Sequence, residues 1–299
     1  MSTAFTAIDL SQLPAPDVVE QLDYEDILSE MITDLQGRDA SYSALVESDP
    51  AYKILEVAAY RELLIRQRVN DASRAVMLAY AEDGDLDHIG ANFRVYRRLI
   101  TPGDPDAVPP VGAVYESNEE FRRRIQLSPE GYTTAGSSGG YEFHALGADA
   151  GVLDAKAVTP AEGQVTVYVL SRDGDGSASA ELLAAVDQAL SAETVRPMTD
   201  LLTVQSASVV SYTVDAVLTV FPGPDSEVVR GLAETAVTHY VSQQQRIGRD
   251  VNLSGLYSAL HQAGVQNVDL VSPSGSLVVG VGEVAYCSGV TVTVGGADV

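Results

Sequence analysis

Basic residues are scarce in this chain of 299 residues: 18 Lys plus Arg stand against 42 Asp plus Glu, a formal net charge of −24. That balance excludes a general nucleic-acid binder, because cations must replace the counterions around a phosphate backbone. Lysine is nearly missing, present only as Lys53 and Lys156, so chemistry that needs a reactive amine has almost nowhere to reside. A single cysteine, Cys287, excludes an internal disulfide framework and suits a reducing compartment. The first residues are polar and include Asp9 without a cationic start, so no signal peptide is expected. The longest nearly apolar stretch, Leu277 to Tyr286, is broken by Gly280, Gly282 and Glu283 and is too short to span a bilayer. The chain is expected to be made and folded in cytoplasm.

What is present describes a globular protein. With 45% apolar and 20% charged residues, the chain has enough hydrophobic material for about two domains. Acidity is uneven along it. Residues 1–52 and the stretch after residue 98 are strongly acidic, whereas residues 53–98 hold 7 acids and 8 bases. This near-neutral window carries the strongest helical pattern, running from Pro50, a good helix opener, to about Glu82 without Gly or Pro. With Leu55 as heptad position a, the a and d sites are Leu55, Ala58, Glu62, Ile65, Val69, Ala72, Val76 and Ala79. Ala59, Tyr60, Leu63 and Leu64 are apolar as well, so more than one face is sticky, and the alanines at d sites permit close approach of another helix. An interchain helix interface is therefore expected over Leu55, Ala58, Ile65, Val69, Ala72, Val76 and Ala79, with Arg66 and Arg68 beside it. An ordinary long core helix is the competing account.

A helix from about Asp17, as N-cap, to Leu35 is expected before it, and a short one capped by Asp85 after Gly84. Thr101 to Gly112, with four prolines, reads as a linker. Beyond it come helices near 118–127 and 138–146, strands at 152–159 and 164–170, a helix at 178–192 and strands near 202–205 and 209–220. Helices near 226–243 and 253–263 precede strands at 265–271, 277–286 and 290–294. The expected fold class is α+β: an N-terminal long-helix region followed by two or more small mixed strand and helix domains. The division is 1–100 for the helical bundle-forming region, 101–150 for the Pro-rich linker and short helices, 151–206 for a central α+β domain and 207–299 for a C-terminal one.

Several motifs invite a chemical reading and fail it. Gly136-Ser137-Ser138-Gly139-Gly140 matches the G-x-S-x-G turn of serine hydrolases, and Asp215 and His239 could complete a triad on paper. The preceding residues do not read as the required strand, so a structural turn built on Gly136, Gly139 and Gly140, with serine capping the helix that follows, explains the same residues. Asp83 to Asp87 and Asp173 to Ser177 begin like calcium loops, but Arg94 and Ala184 stand where the bidentate glutamate belongs. His88, His144, His239 and His261 lack partners at metal-ligand spacing. No phosphate-cradling G-x-x-x-x-G-K-[ST] occurs, and the run Arg122-Arg123-Arg124 follows Glu119 and Glu120, with which it can pair inside its own helix. No catalytic, cofactor or metal residue is assigned.

Several segments, in order, resemble the baseplate J family, wedge proteins of contractile phage tails and tail-like particles. They are Gly84-Asp85-Leu86-Asp87-His88-Ile89-Gly90, Glu119 to Leu127 (EEFRRRIQL), Thr134 to Tyr141 (TAGSSGGY), Val152-Leu153-Asp154-Ala155, Pro160 to Val165, Leu170 to Gly176, Val195 to Asp200, Arg246 to Val251 and Gly264 to Val268. The resemblance implies a structural role without catalytic residues. Two copies of such a chain would join one tail protein I family chain in a wedge, beside a small sheath-docking wedge protein. Six wedges would surround a central hub and spike, with N-terminal helices bundling and C-terminal domains meeting neighbouring wedges in a six-fold ring. It further implies a place in the virion baseplate, assembled in host cytoplasm, and a relay of the contraction trigger to the sheath. A serine hydrolase, or an assembly adaptor absent from the mature particle, are the alternatives.

Overall fold

A computed structural model describes residues 8, 10, 13, 14, 16, 18–132, 136–223 and 225–298. In chain order the elements are α1 (Tyr24–Arg38), α2 (Pro50–Ala75), α3 (Asp83–Asn92), β1 (Leu99–Thr101), β2 (Val114–Tyr115), α4 (Asn118–Leu127), α5 (Ser138–Ala148), β3 (Val152–Val158), β4 (Gln164–Ser171), α6 (Ala180–Leu190), β5 (Leu201–Ser206), β6 (Ser208–Val220), α7 (Ser226–Gln244), α8 (Leu253–Leu260), β7 (Val265–Ser272) and β8 (Glu283–Ala297). The fold is α+β, with helices first and mixed strand and helix domains after. Two compact units are formed, a helical one from 8–98 with 115–126 and a sheet-bearing one from 99–114 with 127–298. The expected stretch 101–150 is thus shared: α4 falls in the first unit and α5 in the second.

In the helical unit, α1 begins where Asp23 caps it, accepting from the N–H groups of Glu25 at 2.7 Å and Asp26 at 3.3 Å. The expected cap at Asp17 lies outside the described residues. The helix does not reach back to residue 20 because that backbone is engaged elsewhere: Asn70 accepts the Glu20 N–H at 3.0 Å and donates to the Glu20 carbonyl at 2.9 Å. Ile27 and Leu28 of α1 pack on Ala59 of α2, with Leu55 and Leu63 alongside.

α2 opens on Pro50 but ends at Ala75, well before Glu82. The chain turns there because its carbonyls find donors outside the helix. Arg122 of α4 gives Nε to Leu78 and Nη2 to Ala81, both at 2.7 Å. Two of the three arginines of α4 thus reach beyond their own helix, since Arg124 forms its ion pair with Glu116. α3 starts at Asp83, before the expected cap at Asp85; Asn118 accepts the Asp83 N–H at 3.3 Å, and Leu86 is fully buried.

In the sheet-bearing unit, β3 and β4 form an antiparallel pair, while β5 lies parallel to β4 after the α6 crossover. Val165, Val167 and Val169 alternate inward along β4, onto Tyr141, Ala145 and Leu146 of α5 and Val186 and Leu190 of α6. The second sheet has order β7-β6-β8, with β7 antiparallel and β8 parallel to β6. Along β6, Val214, Ala216, Leu218 and Val220 point toward Val229, Ala233, Val237 and Val241, which repeat every fourth residue on α7. The chain changes sheets at Ala207: Ser206 pairs with Val169 of β4, Ser208 with Glu283 of β8.

The expected strand 277–286 does not form as one element. Glu283 Oε2 accepts the Gly280 N–H at 2.7 Å and closes a turn, so only residues from Glu283 join the sheet, running on through 290–294 as a single strand.

Candidate assembly surfaces

α2 carries two apolar faces. Tyr52, Leu55, Ala59 and Leu63, spaced three and four apart, meet α1. Turned away from them, Ile54, Val57, Leu64, Ile65 and Val69 are exposed, Ile65 by 66% and Val69 by 54%. Among the expected interface residues, Ile65, Val69 and Ala72 are open on the helix, Ala58 is half-buried, and Leu55 is taken up by α1. Val76 is exposed at the C-cap and Ala79 sits in the turn beyond, so neither extends the helical stripe. A frame of strict sevens drifts across a straight helix of 3.6 residues per turn. It therefore mixes the two faces and misses Ile54 and Val57, which an i, i+3 scan one residue earlier picks up.

The flanking cations differ in their freedom. Arg66 is paired within the chain, Nη2 at 2.7 Å from Glu62 and Nη1 at 3.7 Å from Glu20. Arg68 and Arg61 are exposed.

The motif residues serve packing joints. Gly90 leaves room for the Phe121 ring: a Cβ there would stand 2.4 Å from Phe121 Cζ. Arg97 lies over the same ring at 4.8 Å and binds Asp87 through Nε at 2.7 Å. Gly136 adopts φ +124°, and Gly139 faces Glu130 so closely that a Cβ would sit 2.8 Å from its Cγ. Gly140 donates its N–H to Ser137 Oγ at 3.1 Å, which makes Ser137 the cap of α5.

Tyr141 donates to Asp200 Oδ2 at 2.9 Å, and burial together with that carboxylate pushes its hydroxyl pKa up. Asp154 Oδ2 accepts the Ile247 N–H at 3.0 Å, joining the two sheets at a cluster of Leu170, Ala207, Ile247 and Val284. Glu142 and Lys156 form an ion pair at 3.1 Å, and burial raises the Glu142 pKa despite the lysine.

The chemical readings find no geometry to support them. Ser138 is the first residue of α5, Asp215 lies in β6 and His239 in α7, and no hydrogen bond joins any two of the three among the described residues. In the acidic loops, Asp87 is committed to Arg97 and Asp175 accepts the Ser177 N–H at 2.9 Å. That hydrogen bond lowers the Asp175 pKa. Among the described residues no helix is long and apolar enough to cross a membrane.

Motifs given over to packing, together with an open apolar helix, define a structural subunit of a larger assembly. Family models match along the chain: the Baseplate J-like N-terminal domain over residues 47–104, the Baseplate J-like central domain over 133–206 and the Baseplate J-like protein C-terminal domain over 212–293. Baseplate protein J of Escherichia phage P2 is 47% identical over 298 residues, 97% of this chain and 99% of that one. The cryo-EM structure of the anti-feeding prophage baseplate, 6-fold symmetrised, matches with a TM-score of 0.42 at 18% identity, over 60% of this chain and 43% of that chain. The chain belongs to the baseplate J family, and it is a structural baseplate protein, not an enzyme.

Proposed function

We propose that the chain is a wedge component of the inner baseplate ring of a contractile tail. The open face of α2 is its bundle-forming surface, residues 1–100 its bundling region and residues 207–299 its contact with neighbouring wedges. The partners on this reading are a second copy, a tail protein I family chain, a small sheath-docking wedge protein and the central hub and spike. The ring of six wedges relays the contraction trigger to the sheath.

One observation carries the reading: Ile54, Val57, Leu64, Ile65 and Val69 lie open along one helix, in a near-neutral window of an acidic chain. Water contact along such a stripe is unfavourable, and partner helices would remove it. Repulsion between like-charged chains keeps the free protein soluble until then.

The test is to image particles from a strain lacking this chain and to quantify the chain in purified wild-type particles. Missing or incomplete baseplates and about two copies per wedge support the proposal. Normal contractile tails without the chain contradict it, and absence from mature particles favours the adaptor.

A further inference from the structure

Residues 99–115 fold into an arm of two short strands. β1 pairs with β2, and beyond them Asp104 and Val111 exchange both backbone hydrogen bonds at 2.9 Å. Gly103 lets the two sides close, since a Cβ there would stand 2.8 Å from the Ala113 nitrogen. No third strand joins this sheet among the described residues, and two strands alone are marginal in water. Val108, Val111, Val114 and Tyr115 are all exposed, Val111 by 53% and Val114 by 52%.

The arm is nevertheless firmly rooted. Glu116 donates its N–H to the Arg98 carbonyl at 2.9 Å, and its Oε2 accepts the Arg98 N–H at 2.8 Å while pairing with Arg124. Arg97 Nη1 donates to the Glu116 carbonyl at 2.9 Å. The Glu116 side chain is 2% exposed and that of Arg124 13%, so both strands of the arm emerge from a buried, charge-assisted knot. A two-stranded sheet with apolar side chains exposed and no third strand among the described residues is the arrangement expected of a segment that receives a strand from outside.

The sequence says where and from what. Pro102, Pro105, Pro109 and Pro110 offer no N–H, which leaves Val111–Tyr115 as the longest run of the arm with neither proline nor charge. Asp104 and Asp106 are the only charges between residues 99 and 115, so an approaching strand is favoured when it brings Lys or Arg. A second copy is a poor source of such a strand, since among the described strands only β3 carries a cation, Lys156, and β3 is already paired with β4.

We infer that the Val111–Tyr115 edge takes up an extended, Lys- or Arg-bearing strand from a different baseplate chain. The inference rests on the assembly role proposed above and names one class of partner for it. Hydrogen exchange of the purified chain is to be compared with that of intact tail particles, together with a photo-crosslinking residue placed at Val111. The expected result is at least about tenfold slower exchange of amides within 112–115 in particles, with a cross-link to a different chain whose captured segment is basic. Unchanged exchange in particles that contain the chain overturns the arm inference alone, as does a cross-link to a second copy. Absence of the chain from particles overturns the assembly role as well. Val114→Asp, at an exposed site, should leave the melting temperature of the free chain unchanged while cutting incorporation into particles about tenfold; normal incorporation counts against the arm.

Discussion

The carboxylate of Asp154, on β3, accepts the backbone N–H of Ile247 at 3.0 Å across 93 residues of sequence, and it is 2% exposed. Its other oxygen accepts the Ala155 N–H at 2.9 Å, while Arg246 donates to the Leu153 carbonyl at 3.2 Å. Two of the segments that carry the family resemblance thus meet in one buried joint between the sheets.

Asp154→Ala strips two buried N–H groups of their acceptor. The expected cost is about 3 kcal/mol, read by urea unfolding of the purified chain. Asp154→Asn keeps an acceptor and should cost less. Equal and negligible effects of both would show that the joint is held by its apolar cluster alone.

The Gly-Ser turn separates packing from chemistry. Gly139→Ala places a methyl group against Glu130, and overpacking of this kind costs about 1–3 kcal/mol. Ser138→Ala should change stability by less than about 0.5 kcal/mol and leave particle infectivity intact. A folded Ser138→Ala protein that forms particles without infectivity would revive a chemical role for that hydroxyl.

Glu142 gives a pH signature. Burial raises its pKa above the ordinary value of 4.5, so the folded state holds that proton more tightly than the unfolded state does. Its contribution to stability is fully present below the ordinary value and is lost as pH rises through the folded one. Glu142→Gln has no proton to lose. Its melting temperature relative to wild type should therefore climb between about pH 4 and pH 7, whatever constant offset arises from leaving Lys156 without its partner. A pH-independent difference would contradict the buried, raised carboxyl.

Charge reversals distinguish the α2 surface from ordinary scaffolding. Arg68→Glu, at an exposed site on α2, should weaken incorporation into particles with a stability change under about 0.5 kcal/mol. Arg172→Glu removes a donor to the Ala150 carbonyl at 3.3 Å and should act on stability first. Arg66→Glu should do both, because it also breaks the pairs with Glu62 and Glu20. Equal losses of incorporation for Arg68 and Arg172, after correction for folding, would remove the case for α2.

Local rules carried much of the fold. The inward alternation of Val165, Val167 and Val169, the four-residue repeat of Val229, Ala233, Val237 and Val241, and Pro50 at the start of α2 are all visible in the chain itself. Features set by distant partners were not. Nothing near Ala75 announces the end of α2, because the donor that relieves the following turn is Arg122; nothing near residue 20 announces Asn70. For the candidate surface, the apolar excess was legible but its division into two faces was not, since only α1 determines which stripe is covered. Glu116 went unnoticed because an isolated glutamate beside a short strand gives no signal of the three arginines that gather around it.

Whether other chains cover the open face of α2 is decided by a map of the assembled baseplate. Ile54, Val57, Ile65 and Val69 should be buried there against helices of another chain in every wedge. Well-resolved wedges in which that face remains open to solvent would contradict it.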